Sequence, residues 1–185
     1  MRVVAGTLRG RSIVAPDGDA TRPTTDRTRE AVFNALSSLG VVEDAVVLDL
    51  FAGSGAMGIE ALSRGARRCT FIERDRRALE SIRTNVGKLD LGDRATVIAG
   101  DVAVNVVAQR LADLVLVDPP YDFTAWPELL RAITPALAPG GLVVAESGRE
   151  IAVPEGWDVL RARSYGRTRV AFLERTTPST GTVTP

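Results

Sequence analysis

Histidine is absent from this chain of 185 residues, and cysteine occurs once, at position 69. The first absence removes imidazole as an acid, a base or a metal ligand; the second removes any internal disulfide. Together they argue against a zinc site, and no metal is expected to take part. Lysine is nearly missing as well: Lys88 stands alone among 23 basic side chains. Arginine's planar fork suits phosphate, but a chain-wide bias alongside heavy Ala and Val use is also what GC-rich coding produces. Long apolar runs are lacking. None approaches the roughly 18 residues needed to span a bilayer, and the opening MRVVAGTLRGR places only a short apolar stretch between arginines. A cytoplasmic location is expected, with no membrane partner. Excess charge is missing too, since 23 acidic residues balance the basic ones, so bulk electrostatics do not mark a nucleic-acid binder.

What is present suits one globular domain: 45% apolar and 25% charged residues can build a sizeable core. The arginines cluster locally. Arg2, Arg9, Arg11, Arg22, Arg27 and Arg29 crowd the first thirty residues, and Arg161, Arg163, Arg167 and Arg169 crowd a late segment.

Short apolar runs alternate with helical spacing along most of the chain. VVLDL (46–50), CTFIE (69–73), ATVIA (95–99), DLVLVD (113–118) and GLVVAE (141–146) predict strands. Residues 56–64, 76–88, 102–111 and 126–137 predict helices between them. Continuous apolar strands alternating with helices imply a parallel sheet covered on both faces. Residues 157–174 predict two strands around a Tyr-Gly turn, an antiparallel addition to the sheet edge. At the front, RVVAGTLRGRSIVAP predicts a small hairpin. Asp26 is then expected to cap a helix through Leu39, with Ala31, Val32, Ala35, Leu36 and Leu39 on one face. The expected organisation is a hairpin extension over 1–25, a main domain over 26–175 and a disordered tail over 176–185.

DLFAGSGAMG (49–58) satisfies G-x-G-x-x-G through Gly53, Gly55 and Gly58, between a strand and a helix. Glu73 follows about twenty residues later at the next strand end, placed to accept hydrogen bonds from ribose hydroxyls. Read alone, the pattern also fits a nicotinamide-dependent oxidoreductase, or a tight turn and nothing more. Asp49 weighs against a pyrophosphate, which it would repel, and favours a ligand carrying an amino group and a sulfonium, as S-adenosylmethionine does. Asp101 lies where an adenine amino group could be bound, and it is also a natural cap for the helix starting at Val102.

The strand at 113–118 runs into DPPY (118–121). Prolines there remove two backbone donors and fix two φ angles, leaving carbonyls directed into the crevice expected at the strand ends. Asp118 and the Pro119 carbonyl could take both hydrogens of an exocyclic amine, aiming its lone pair at a methyl group, while Tyr121 supplies a flat face for the base. As an alternative, the tetrapeptide is a strand cap with a proline turn and Tyr121 is core.

DLFAGSGAMGIEALSRGA, FIERD, Gly100-Asp101 and DPPY together resemble the class I S-adenosylmethionine-dependent methyltransferases that act on amino groups. With RPTTDRTREAVFNAL (22–36) and GTLRGR, residues 1 to about 175 resemble the RsmD family, guanine-N2 methyltransferases of small-subunit ribosomal RNA. The resemblance implies a Rossmann-like α/β fold with a mostly parallel seven-stranded sheet, an antiparallel strand in the C-terminal hairpin, and the N-terminal hairpin and helix. It implies cofactor contacts from Asp49, Phe51, Gly53, Gly55, Glu73, Asp101 and Val102, with Arg22, Thr24 and Thr25 closing over the methionine end. Catalysis falls to Asp118, Pro119 and Tyr121. Tyr121 and Phe123 would stack on the flipped base, and Arg9 and Arg11 would touch RNA phosphate. The expected partner is small-subunit ribosomal RNA or the assembled subunit. DPPY is shared with adenine-N6 enzymes, so the motif indicates amine methylation rather than guanine. Removing the first twenty residues is expected to spare the cofactor site.

Overall fold

A computed structural model describes residues 1–16, 26–109, 111–166 and 168–176. Five strands, β1 (Val46–Leu50), β2 (Arg68–Glu73), β3 (Ala95–Ala99), β4 (Ala112–Val117) and β5 (Leu137–Ser147), pair in parallel in the order β3-β2-β1-β4-β5. The hairpin of β6 (Trp157–Tyr165) and β7 (Thr168–Arg175) completes a seven-stranded sheet, with β7 inserted antiparallel between β5 and the outer strand β6. This is the mixed sheet that the alternation of runs predicts. Because the chain steps from β1 outward to β3 and then crosses back to β4 beside β1, strand order reverses between β1 and β4. The crevice of a doubly wound sheet opens there.

The inner strands read as continuous apolar runs because both faces are covered. On β4, Leu114 and Leu116 join one core cluster while Ala112, Val115 and Val117 join the other. Helices α1 (Asp26–Ser38), α2 (Ala56–Ser63) and α3 (Arg76–Lys88) pack on the first face; α4 (Val102–Val106) and α5 (Trp126–Ile133) pack on the second. Each fully buried Leu, Ile or Val there contributes about 1.5–3 kcal/mol.

Several boundaries differ from expectation. On α1 the buried face is Thr28, Arg29, Val32, Phe33 and Leu36, and Leu39 lies beyond the helix, 48% exposed. Asp26 is the first helical residue, and its carboxylate accepts from the Arg29 guanidinium (2.8 Å). Helix α4 stops at Val106 instead of reaching Leu111, whose φ of 45° is incompatible with helix. Helix α5 ends at Ile133 and gives way to a 3-10 turn over Thr134–Ala136, because Pro135 has no N–H to continue the ladder; the Thr134 hydroxyl donates to the Leu130 carbonyl instead (2.9 Å).

The front segment forms the expected hairpin only in reduced form, as one bridge between Arg2 and Ser12 flanked by Val3 N–H to Arg11 O (3.0 Å) and Gly10 N–H to Val3 O (2.9 Å). It does not stand apart. Val3 and Ile13 are buried in the core cluster of α1, α2 and α3. The fully buried Glu60 carboxylate on α2 accepts from the Val4 and Ala5 N–H groups at 2.8 and 2.9 Å. Gly6 is required where the segment crosses α2: a Cβ would overlap the Ser63 carbonyl.

Candidate active site

The crevice is built from the turns that follow β1, β2, β3 and β4. After β1 the chain turns through Phe51, whose φ of 57° is unusual for a side chain of that size, then through Gly53 and Gly55 at φ 56° and 78°. Gly58 serves packing: a Cβ there would lie 2.6 Å from Cys69 Sγ and closer still to the Phe71 ring, so only glycine lets α2 lie this near β2.

Asp49 is 3% exposed and its Oδ2 accepts from the Gly58 N–H (2.9 Å) near the start of α2. Burial pushes its carboxyl well above the ordinary carboxylate range; the Gly58 N–H opposes this, and the neighbouring Asp118 and Glu73 carboxylates add to it. Three acids from three strand ends thus sense one another, a site that a cationic ligand would stabilise and a pyrophosphate would not. Glu73 is fixed by three backbone donors: Gly53 N–H to Oε2 (2.9 Å), and Arg74 and Asp75 N–H to Oε1 (2.7 and 2.9 Å). Its carboxylate therefore ties the β2 end to the glycine turn.

Asp101 does cap α4, accepting from Ala103 and Val104 N–H at 2.9 and 3.3 Å. It also lines a cavity of about 340 Å³ with Phe51, Val102, Pro120, Phe123 and Leu129. Phe51 and Phe123 meet edge-to-face there with centroids 5.5 Å apart, and Phe123 meets Trp126 in the same way at 5.2 Å. Apolar walls accompanied by the charged Arg74, Asp122 and Glu128 as well as Asp101 can take a flat heterocycle bearing an amine.

Beside β1, the Asp118 N–H reaches the Leu50 carbonyl (3.5 Å) and Pro119 is buried. One expectation needs correction: the Pro120 carbonyl does not face the crevice, since it accepts the Phe123 N–H (2.9 Å) and closes a turn. Only the Pro119 carbonyl remains as a candidate acceptor there. Tyr121 is 51% exposed, which excludes the core alternative and leaves its ring available for stacking.

Arg22, Thr24, Thr25 and Arg167, with the tail after residue 176, lie outside the described residues. Arg9 is exposed without a side-chain partner among the described residues, whereas Arg11 donates to the Lys88 carbonyl (2.9 Å). Sequence reasoning missed two buried polar residues that seat the front segment, one of which also reaches the glycine turn. Glu60 is one; Asn85 is the other, fully buried on α3, its Oδ1 accepting from Val14 N–H (2.8 Å) and its Nδ2 donating to the Val14 and Ser54 carbonyls (both 2.9 Å). An acid and an amide at apolar positions of their helices were the available signals. Because Ser54 belongs to the glycine turn, the front segment and that turn share Asn85 as a support, so removing residues 1–20 would take away one of the two groups that Asn85 joins.

The strand order, the glycine turn and the acid-lined rim define the class I methyltransferase fold. A family model described as "Conserved hypothetical protein 95" matches residues 1–174, and the chain belongs to that family, the RsmD family that its motifs resemble. The Bacillus subtilis (strain 168) protein YlbH is 39% identical over 184 residues, covering 95% of this chain and 99% of that one. "Ribosomal RNA small subunit methyltransferase D" of Escherichia coli (strain K12) is 36% identical over 182 residues, covering 95% and 90%. Among solved structures, Escherichia coli yhhF superimposes with a TM-score of 0.82 at 35% identity, covering 95% of this chain and 97% of that one.

Proposed function

We propose that this chain methylates the exocyclic N2 amine of one guanine in small-subunit ribosomal RNA, with S-adenosylmethionine as donor, in the cytoplasm. Family membership supports the reaction class, and the name of the Escherichia coli relative supports the substrate. The observation that carries the reading is the placement of DPPY: Asp118 stands at the β4 end within the field of the buried Asp49 carboxylate, next to a half-exposed Tyr121.

The acids fit the cofactor. Asp49 would face its cationic methionine end and Glu73 its ribose, while Asp101, Val102 and Phe51 would enclose the adenine; when bound, it supplies an electrophilic methyl group on a sulfonium. Residues 22–25, with Arg22, Thr24 and Thr25, would close the methionine end. The chain's own contribution is positioning. The Asp118 carboxylate and the Pro119 carbonyl accept the two amine hydrogens, so that the nitrogen lone pair leaves ring conjugation and points along the line of displacement. Tyr121 and Phe123 stack on a base extruded from its helix, with unstacking costing a few kcal/mol. After transfer the methylated nitrogen carries one proton too many, and Asp118 or water removes it. Arg9 and Arg11 of the front segment contact RNA phosphate.

The test is methyl transfer from labelled S-adenosylmethionine to ribosomal RNA and to small subunits lacking the modification, followed by nucleoside mass spectrometry. N2-methylguanosine at one site is expected; N6-methyladenosine would move the reaction to another base, and NADH binding without transfer would return the glycine turn to an oxidoreductase. Asp118→Ala should lower kcat by about a hundredfold or more, the scale of losing one transition-state contact, with cofactor affinity within about twofold of wild type.

A further inference from the structure

Of the two arginine clusters, the late one holds two described residues without internal work. Arg161 and Arg163 on β6, and Arg149 in the loop after β5, make no side-chain hydrogen bond or ion pair among the described residues. Arg169 differs, lying 3.7 Å from Glu150. Strand β6 is the outer strand of the sheet, and residues 158–164 are all exposed.

Charged side chains on an outer strand can serve only to deter pairing with another chain. That purpose would place charge without regard to direction, yet the charges here are sorted along the strand. Asp158 stands opposite Glu174 at the end remote from the crevice. Arg161 and Arg163 stand opposite Phe172 and Val170, towards the end where Ser164 pairs with Arg169 and Arg169 with Ser147. Cross-strand partners share a face, and Phe172 and Val170 belong to the core cluster of α1, α2 and α3. The two arginines therefore project on one side of the sheet, Arg161 from the middle of β6 and Arg163 two residues from its crevice end. From there the path to the reaction centre is short. Gly148, directly after β5, lies under the Tyr121 ring, where a Cβ would come within 2.6 Å of Tyr121 Cε1. Two strand spacings, roughly 10 Å, separate β5 from β6.

We propose that the crevice end of the β6–β7 hairpin, through Arg161, Arg163 and Arg149, holds the phosphates of the RNA strand that presents its target base to Asp118 and Tyr121. This rests on the reading of the substrate as RNA and adds where the RNA backbone runs. In a chain of zero net charge, attraction to a polyanion has to come from such local concentrations. Contacts of this kind carry no sequence information; they set register and orientation.

The test compares the wild type with a double variant, Arg161→Ala with Arg163→Ala, in transfer to ribosomal RNA across a salt series. A charge-matched control, Arg67→Ala with Arg83→Ala, separates local contact from net charge. The hairpin variant should raise KM for RNA roughly tenfold and lower the slope of log affinity against log salt by about two, one per lost phosphate contact. Its kcat and its KM for S-adenosylmethionine should stay at wild-type values, and replacement of both arginines by lysine should restore most of the RNA affinity. An unchanged KM for RNA and an unchanged salt slope, or an equal loss in the control, would overturn the proposal. If the wild type transfers no methyl group to ribosomal RNA, the functional reading fails by itself. Anisotropy of a labelled RNA hairpin then decides the surface: weaker binding by the hairpin variant alone sustains it, and equal binding by all three proteins removes it.

Discussion

The front segment and the terminal hairpin are both short, both rich in arginine, and built into the molecule in opposite ways. In the front region most of the described guanidinium groups are tied to the chain itself, although Arg2, Arg9 and Arg11 stay at the surface and Arg9 has no side-chain partner among the described residues. Arg2 donates to the Gly10 carbonyl (2.9 Å), Arg11 to that of Lys88 (2.9 Å), and Arg29 is fully buried between Asp26, the Arg2 carbonyl and Glu60. In the hairpin, Arg161 and Arg163 extend into solvent from an outer strand. A cluster of positive charge in a sequence therefore has two meanings. Where an acid lies buried at an apolar helix position, as Glu60 does on α2, arginine is needed to neutralise it. Where the neighbouring strand offers only apolar partners, as Phe172 and Val170 do, the charge is left for something outside the chain.

The most forceful way to break this contrast is to delete residues 1–14. If the front segment is structure, its loss removes the burial of Val3 and Ile13 and leaves Glu60 without its two backbone donors. Stability should fall by more than about 5 kcal/mol, much of what a domain of this size possesses. A urea melt that matched the full chain would show the segment to be an appendage. Arg29→Ala sharpens the same point with one side chain. It leaves the Glu60 carboxylate buried beside Arg64 alone and should cost about 3–5 kcal/mol, read by the same melt; a loss under 1 kcal/mol would mean that Arg64 alone suffices.

Asp49 tests whether the region between the two ends is tuned for a cation. Its carboxyl is pushed upward, so the folded state holds that proton more tightly than the unfolded chain, and ionised Asp49 detracts from stability above the ordinary value of about 3.9. Asp49→Asn keeps an acceptor for the Gly58 N–H without the charge. It should leave the ligand-free protein at least as stable at neutral pH while weakening S-adenosylmethionine binding by about 30-fold or more, the effect of removing one partner of a buried charge pair. In the wild type that affinity should decline as pH falls through the raised pKa, before the ordinary carboxylate range is reached; in the variant it should be flat. Calorimetric titration at several pH values decides both. The smallest effect belongs to the hairpin: Arg161→Ala with Arg163→Ala should change stability by no more than about 0.5 kcal/mol, and a larger loss would make these arginines structural after all.

The sheet was legible in the sequence because the period of the apolar residues changes where the backbone changes. VVLDL and ATVIA are strands over the very residues that the runs mark, and α3 likewise spans Arg76–Lys88. Glycine turn and DPPY were legible because their residue types are costly anywhere else. What escaped was anything decided across long sequence separations. Arg29 looks like any other surface arginine until Glu60 is placed beside it, and Asn85 looks like a minor interruption in an amphipathic helix until Val14 and Ser54 arrive. The Pro120 carbonyl was misjudged for a local reason: the turn to Phe123 depends on backbone direction, which residue identity alone does not specify. No helix among the described residues is long and apolar enough to cross a membrane.

The seat of the front segment also sets an order of events during synthesis. Residues 1–14 leave the ribosome well before their partners Glu60 and Asn85, which lie 55 to 71 positions later in the chain. Until α1, α2 and α3 have all emerged, the docking of this stretch is incomplete, and Val3 and Ile13 lack part of their cover while residues 15 to 88 are made. At about 5–20 residues per second that wait lasts several seconds. Val3 and Ile13 would then be open to a holding chaperone for that interval, and closing the front segment onto α2 and α3 would be a late event whose completion also brings the Ser54 turn under the hold of Asn85.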